Sequence, residues 1–183
     1  MVLPDGSRVH LYANVGTPAD VSRAVEAGAE GVGLLRSEFL LLDRSAPPSE
    51  AEQVRAFGPM FTALGPNRPL TLRLADIGGD KEIPYLRLPH ESNPFLGLRG
   101  YRLAGIGDRP DLRALFSSQV SAALRAAAAT GGALRIMAPM IAIRGCLRAK
   151  PPLLCPLDGA LCPDCQIGFG LALIWCCYWT GRR

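Results

Sequence analysis

Four apolar runs of strand length alternate with segments of helical pattern, and this alternation constrains the fold more than any other feature of the sequence. The runs cover residues 9–15, 31–42, 69–79 and 133–143. They are apolar along most of their length, which is the pattern of strands buried on both faces. The order βαβαβαβ therefore predicts a parallel sheet covered by helices. An open doubly wound sheet and part of a (β/α)₈ barrel both fit this order.

Capping residues predict where the helices between these runs begin. Thr17, followed by proline, is a favourable N-cap, and Ser49 with Glu52 three residues later has the spacing of a capping box. Pro59 is expected to end or kink the second helix, because proline removes a backbone hydrogen bond inside a helix. Another helix is expected over 110–132, where apolar residues repeat at helical spacing until two glycines end the pattern.

Charge is close to balanced over the first 143 residues, which contain 15 basic and 14 acidic side chains. A near-neutral surface gives no electrostatic reason to expect binding to nucleic acid or to an anionic membrane. The chain does not open with a charged segment followed by an apolar one, so a secretory signal is not expected. We therefore predict a cytoplasmic protein that binds neither nucleic acid nor membranes.

Residues 144–183 differ in composition from the rest of the chain. All six cysteines and both tryptophans lie there, together with five basic and two acidic side chains. We predict a domain boundary near residue 143, followed by an irregular, cysteine-rich tail unrelated to the body. An out-of-frame read-through is one explanation of this tail. A genuine appendage that binds zinc through Cys162 and Cys165 is another, although one CxxC pair is a weak zinc signal.

Two arginines interrupt apolar runs in which a charge is costly to bury. Arg36 and Arg73 fall near the carboxyl ends of the second and third predicted strands. Ligands of parallel α/β folds bind at these ends, and guanidinium groups bind phosphate or carboxylate through two parallel hydrogen bonds. The pattern therefore suggests an anionic ligand. The alternative is local ion pairing, of Arg36 with Glu38 and of Arg73 with Asp76 or Asp80.

Three stretches of the body resemble a known family: GAEGVGLLRSEFLLLDR (28–44), LRLADIGGDKEIPYL (72–86) and NPFLGLRGYRL (93–103). They are similar, in this order, to enzyme I of the bacterial phosphotransferase system, the phosphoenolpyruvate–protein phosphotransferases. The similar region is the first half of the barrel that binds phosphoenolpyruvate (PEP). The resemblance implies an α/β fold over residues 1–143, a partial (β/α)₈ TIM barrel of about four βα units.

The resemblance also implies roles for three arginines. Arg36 and Arg73 match the arginines that hold the phosphate of PEP, and Arg99 matches a supporting arginine of the active-site face. Members of the family transfer the phosphoryl group of PEP to a protein histidine in sugar uptake, use Mg²⁺, act with a phosphocarrier protein and form homodimers. Stretches like the family's metal-binding and phosphohistidine motifs do not occur in this sequence. We therefore expect PEP binding, with no metal ligand, no catalytic residue and no turnover by this chain alone.

Other functions fit part of the sequence. Pyruvate, phosphate dikinases and PEP synthases share motifs of the GLLRSEF and NPFLGLRGYRL types, whereas DIGGDKEIPYL favours enzyme I. A non-catalytic protein that binds an anion through the arginines, or zinc through the tail, is a hypothesis from another class. The histidines do not favour catalysis, because His10 is expected to be structural and His90 is expected on an exposed loop.

Overall fold

A computed structural model gives the fold of the chain. It describes residues 1–78, 83–88, 92–93, 96–105 and 109–140, and the backbone of residues 166–170 and 174–179. The body contains strands β1 (Ala13–Val15), β2 (Val32–Arg36), β3 (Pro69–Arg73) and β4 (Ala133–Ala138), and helices α1 (Pro18–Glu26), α2 (Glu50–Leu64), α3 (Tyr101–Gly105) and α4 (Pro110–Thr130). Short 3₁₀ helices cover Ser37–Leu40 and Pro84–Leu86. No helix among the described residues is long and apolar enough to cross a membrane.

The first four strands form a parallel sheet in the order β1-β2-β3-β4. Each strand pairs with the next one along the sequence, and helices lie between consecutive strands. The predicted α/β fold with a parallel sheet is therefore confirmed. Sequential pairing is consistent with the first part of a barrel, because a doubly wound sheet reverses its strand order at a switch point.

Two further strands belong to the C-terminal segment. Strands β5 (Gln166–Gly170) and β6 (Ile174–Trp179) form an antiparallel pair, and β6 extends the sheet beside β4. The prediction of an irregular tail is wrong for these two stretches. Aromatic residues and isoleucine in β6 favour a strand, and the pairing satisfies backbone groups along the outer edge of β4. The predicted boundary near residue 143 and the Cys162–Cys165 pair lie outside the described residues.

The core lies between the sheet and helices α2 and α4, which also pack against each other. Leu35, Leu72 and Ile136 are register neighbours on β2, β3 and β4, and none is more than 5% exposed. These side chains form one buried cluster with Phe57 of α2 and Phe116 of α4. Burial of each such side chain contributes about 1.5–3 kcal/mol. Apolar side chains of the strands therefore pack one face of the sheet against helices α2 and α4.

The predicted starts of α1 and α2 are confirmed. The side chains of Thr17 and Ser49 each accept a hydrogen bond from the backbone N–H of the third helical residue, which is Asp20 in α1 and Glu52 in α2. The carboxylate of that residue in turn accepts a hydrogen bond from the backbone N–H of the cap. Each capping box thus satisfies donors that a helix start leaves free. Helix α4 ends where expected, because Gly131 adopts the left-handed conformation at φ +67°.

Pro59 was expected to end or kink the second helix, and an end there is wrong, because α2 continues to Leu64. Two features explain why the helix tolerates this proline. Gly58 precedes it and has no Cβ, so the usual clash between a proline ring and the preceding side chain is reduced. Pro59 has no N–H to donate to the carbonyl of Arg55, four residues earlier in the helix. Both residues are exposed, so water can donate a hydrogen bond to that carbonyl instead.

The first capping box predicts a dependence of stability on pH. The Asp20 carboxylate accepts hydrogen bonds from the Gly16 and Thr17 backbones and pairs with Arg23, and these contacts lower its pKa to about 2. A carboxyl whose pKa is depressed by folding stabilises the fold above its unfolded pKa, and this contribution is lost as pH falls through the folded pKa. We expect the difference in free energy of unfolding between wild type and Asp20→Asn to be constant above pH 5 and to shrink between about pH 4 and 2. Urea titrations at a series of pH values measure it, and a constant difference down to pH 2 would contradict this prediction.

Candidate functional site

Arg36 and Arg73 end the neighbouring strands β2 and β3, and the parallel register pairs them directly. Partners in adjacent strands place their side chains on the same face of a sheet, and successive residues alternate between faces. Leu35 and Leu72, one residue earlier, pack into the helical core, so both arginines lie on the opposite face. The structure thus brings two sequence-predicted site residues together at the carboxyl end of the sheet.

A sharp turn after β2 brings two polar residues to the end of β3. The 3₁₀ helix Ser37–Leu40 begins directly after Arg36. The Ser37 hydroxyl donates a 2.7 Å hydrogen bond to the carbonyl of Arg73, which ties this turn to the neighbouring strand. The Glu38 carboxylate accepts a 3.0 Å hydrogen bond from the backbone N–H of Asp76. Both residues are buried, so these bonds form away from competing water.

Arg73 is held by two carboxylates. Its Nη2 donates to Glu38 Oε1 at 2.6 Å, and its Nη1 lies 3.7 Å from Asp76 Oδ2. The side chains of Arg73, Glu38 and Asp76 are 18%, 4% and 12% exposed, so this is a largely buried ion pair. The attraction between the opposite charges offsets the free-energy cost of removing them from water only while both partners are present. The alternative pairing of Arg73 with Asp76 is present but longer than the contact with Glu38, and Asp80 lies outside the described residues.

Arg99 joins the same network through Asp76. Its Nε donates to Asp76 Oδ1 at 3.1 Å, and its side chain is 5% exposed. Gly100 permits this close approach, because a Cβ at this position would lie 2.9 Å from the same carboxylate oxygen. Its φ of +54° is also a conformation that glycine adopts most readily. Asp76 therefore bridges Arg73 and Arg99.

Arg36 differs from the other two arginines because its residue is exposed. Among the described residues, its side chain makes no ion pair or hydrogen bond. The alternative pairing of Arg36 with Glu38 is not formed, since Glu38 binds Arg73 instead. Among the described residues, Arg73 and Arg99 thus pair with the carboxylates Glu38 and Asp76, and Arg36 makes no ion pair beside them. Such a set of donors can bind an anion.

A family model described as the PEP-binding domain of PEP-utilising enzymes matches residues 1–154. The chain belongs to this family. The match includes all four parallel strands and the three arginines. The match ends at residue 154, inside the segment 144–183 that differs in composition from the first 143 residues.

The chain is also similar to two kinds of named phosphotransferase. The multiphosphoryl transfer protein of Rhodobacter capsulatus is 51% identical over 139 residues, which are 76% of this chain and 16% of the relative. The phosphoenolpyruvate-protein phosphotransferase of Haloferax volcanii is 49% identical over 146 residues, 79% of this chain and 25% of the relative. The phosphoenolpyruvate-protein phosphotransferase of Geobacillus stearothermophilus is 48% identical over 141 residues, which are 77% of this chain and 23% of the relative. The chain spans about a sixth to a quarter of the length of these relatives.

Sequence reasoning missed Gln119, which links helix α4 to the arginine network. Gln119 is fully buried, its Nε2 donates to the Ser37 hydroxyl at 3.2 Å, and its Oε1 accepts from the backbone N–H of Ala75 at 3.2 Å. A signal was present, because Gln119 is a polar residue on the stripe that Phe116 and Val120 place in the core. Buried polar side chains need partners, and here those partners are the strand ends.

His10 lies at the other end of the sheet, before β1 begins. Its Nδ1 is 2.6 Å from Glu30 Oε2, and this hydrogen bond, assisted by the charge of Arg8, lowers the pKa of Glu30. The ring also stacks on Tyr12 with ring centroids 6.0 Å apart. These contacts give His10 a structural role away from the arginines. His90 lies outside the described residues.

No group of three His, Cys, Asp or Glu side chains that could hold a metal ion occurs in the part of the chain that the structure describes. The two carboxylates beside the arginines, Glu38 and Asp76, are both engaged by guanidinium groups. Divalent magnesium needs free oxygen ligands in octahedral geometry. The described residues at this end of the sheet therefore do not fit Mg²⁺.

Proposed function

We propose that Arg36 and Arg73 bind the phosphate of PEP, with Arg99 in support, in a phosphotransferase that passes the phosphoryl group to a protein histidine during sugar uptake. The observation that carries this proposal is the direct register pairing of Arg36 with Arg73 at the carboxyl end of the sheet. Membership of the PEP-utilising family and relatives named as PEP-protein phosphotransferases support it. These names favour a phosphotransferase over a dikinase or a synthase.

The two arginines have complementary parts in this proposal. Arg73 is held by Glu38 and Asp76, whereas Arg36 is exposed and makes no ion pair with a described residue. A PEP phosphate carries about two negative charges, so the directed N–H donors of two neighbouring guanidinium groups favour its binding. In phosphoryl transfer such donors position the group and offset the charge that develops on it.

The proposed role of the described residues is binding and orientation. His10 pairs with Glu30 at the opposite end of the sheet from Arg36, so it is poorly placed to accept a phosphoryl group. The acceptor histidine, the Mg²⁺ expected from the family resemblance, a phosphocarrier protein and a second copy of the chain are partners that this proposal assigns to the complete cytoplasmic enzyme. They are not needed for the binding test below.

Replacing Arg36 with alanine tests the proposal without disturbing the fold. Loss of one charge-assisted contact with phosphate, about 1.5–3 kcal/mol, should weaken PEP binding by about 10- to 100-fold. The free energy of unfolding should stay within about 0.5 kcal/mol of the wild-type value, because the residue is exposed. Isothermal titration calorimetry with PEP measures the affinity, and urea denaturation measures the stability.

Arg55→Ala is the matched control, since Arg55 is also exposed and lies on α2, away from the strand ends. It changes the net charge equally, so it reports the nonspecific electrostatic contribution. We expect Arg55→Ala to bind PEP like the wild type at physiological salt. Equal losses in both variants, or wild-type affinity in Arg36→Ala, would show that Arg36 does not contact the phosphate.

A further inference from the structure

The Glu38 carboxylate accepts hydrogen bonds from the last residue of β3 and from the segment that follows it. The residue is 3% exposed, and its Oε1 accepts hydrogen bonds from Arg73 Nη2 at 2.6 Å and from the Asp76 backbone N–H at 3.0 Å. The preceding residue, Ser37, is tied to the Arg73 carbonyl at 2.7 Å. Glu38 therefore cannot move relative to the end of β3 without breaking several buried hydrogen bonds.

The Arg73 guanidinium is consequently held at both terminal nitrogens. Nη2 bonds to Glu38, and Nη1 faces Asp76, which Arg99 holds in turn through a 3.1 Å bond from its Nε. The hydrogen bond to Glu38 fixes Nη2 and the longer contact with Asp76 attracts Nη1, so together they favour one orientation of the guanidinium. Arg36, its register partner, has no such restraint among the described residues.

We infer that Glu38 is a positioning residue: its carboxylate holds the Arg73 guanidinium in the orientation that receives the phosphate of PEP. This inference rests on the proposed function. Holding the donor in advance removes part of the ordering cost that binding would otherwise carry. Nothing in the sequence pattern assigns this role to Glu38, whose alternative partner was Arg36.

A simpler role for Glu38 makes the opposite prediction. If Glu38 only neutralised Arg73, its carboxylate would repel an incoming anion, and its removal would strengthen PEP binding. If Glu38 positions Arg73, its removal frees the guanidinium and weakens binding although the site becomes more positive. The sign of the change in affinity therefore separates the two roles in variants that urea denaturation shows to be folded, because unfolding would also weaken apparent binding.

The experiment measures PEP affinity by isothermal titration calorimetry in wild type, Glu38→Gln and Glu38→Ala. We expect affinity to fall about tenfold in Glu38→Gln and further in Glu38→Ala, which removes the acceptor altogether. Glu50→Gln is the matched control, because Glu50 pairs with Arg125 at 2.7 Å on the exposed surface of the helices. It should leave the affinity unchanged. Wild-type or increased affinity in both Glu38 variants would overturn the inference.

A second measurement needs no variant and holds if the Glu38 variants fail to fold. ¹⁵N relaxation of the arginine Nε–H groups in the ligand-free wild type should give a rigid Arg73, with an order parameter near ~0.85, and a mobile Arg36, below ~0.6. Equal mobility of the two side chains would overturn the inference. If wild type does not bind PEP at all, the proposed function fails and the positioning role fails with it. If wild type binds and the Glu38 variants bind equally well, only the positioning role fails.

Discussion

Replacing Arg73 with alanine should lower the free energy of unfolding by about 3–5 kcal/mol and abolish measurable PEP binding. The arginine is the partner of Glu38, whose side chain is only 4% exposed, and it also faces Asp76. Without the guanidinium, a buried carboxylate keeps its desolvation cost and loses the attraction that offset it. Urea denaturation followed by circular dichroism measures the change in stability.

A double variant shows whether the loss arises from the stranded carboxylate. Glu38→Gln in the Arg73→Ala background removes the uncompensated charge, so stability should recover partly, and the two changes should be strongly non-additive. Arg23→Ala is the control, because Arg23 pairs with Asp20 on the surface with its side chain 75% exposed. Exposed pairs contribute little, so a far smaller loss is expected there. A similar loss in the Arg23 and Arg73 variants would contradict a buried ion pair.

Replacing Gln119 with leucine should cost about 2–4 kcal/mol. This substitution places an apolar side chain of similar size in the core but leaves the Ala75 N–H and the Ser37 hydroxyl without the bonds that Gln119 provides. Each buried polar group that loses its partner costs about 1–3 kcal/mol. Because Ser37 in turn holds the Arg73 carbonyl, PEP affinity should fall as well. Denaturation curves and PEP titrations on the same protein preparation measure both effects.

Gln53→Leu provides a matched comparison. Gln53 is also fully buried, and its Nε2 donates to the Pro48 carbonyl at 3.3 Å and to Ser118 Oγ at 3.0 Å, away from the strand ends. We expect a comparable loss of stability with unchanged PEP affinity. A change in affinity in the Gln53 variant equal to that in the Gln119 variant would mean that Gln119 acts only through general stability.

Much of the fold followed from local signals. The capping boxes at Thr17 and Ser49 and the left-handed glycine after α4 depend on residues three or four positions apart, which the sequence displays directly. The ends of the strands were harder to predict. The apolar run 31–42 continues past Arg36, where β2 ends, into the 3₁₀ helix Ser37–Leu40, and apolar residues occur in both elements. Hydrophobicity records burial in both elements and does not separate them.

The arginines and the pairing of Arg73 with Asp76 were predictable from the sequence, whereas the contacts of Glu38 with Arg73 and of Gln119 with Ser37 were not. Arg36 and Arg73 were assigned to neighbouring strand ends because a parallel order of strands places them there, and their register pairing agrees with that placement. Glu38 and Arg73 are 35 positions apart, and Gln119 and Ser37 are 82 apart. Contacts of this range depend on how the turn after β2 and helix α4 settle against β3, which no local spacing encodes. Their phosphate-binding role remains a prediction.

A crystal structure of the protein with bound PEP tests the central claim most directly. We predict a phosphate group within about 2.7–2.9 Å of guanidinium nitrogens from both Arg36 and Arg73, with the contact between Arg73 and Glu38 retained. PEP bound elsewhere, or bound through only one of these arginines while the other faces away, would contradict a shared phosphate site at the ends of β2 and β3.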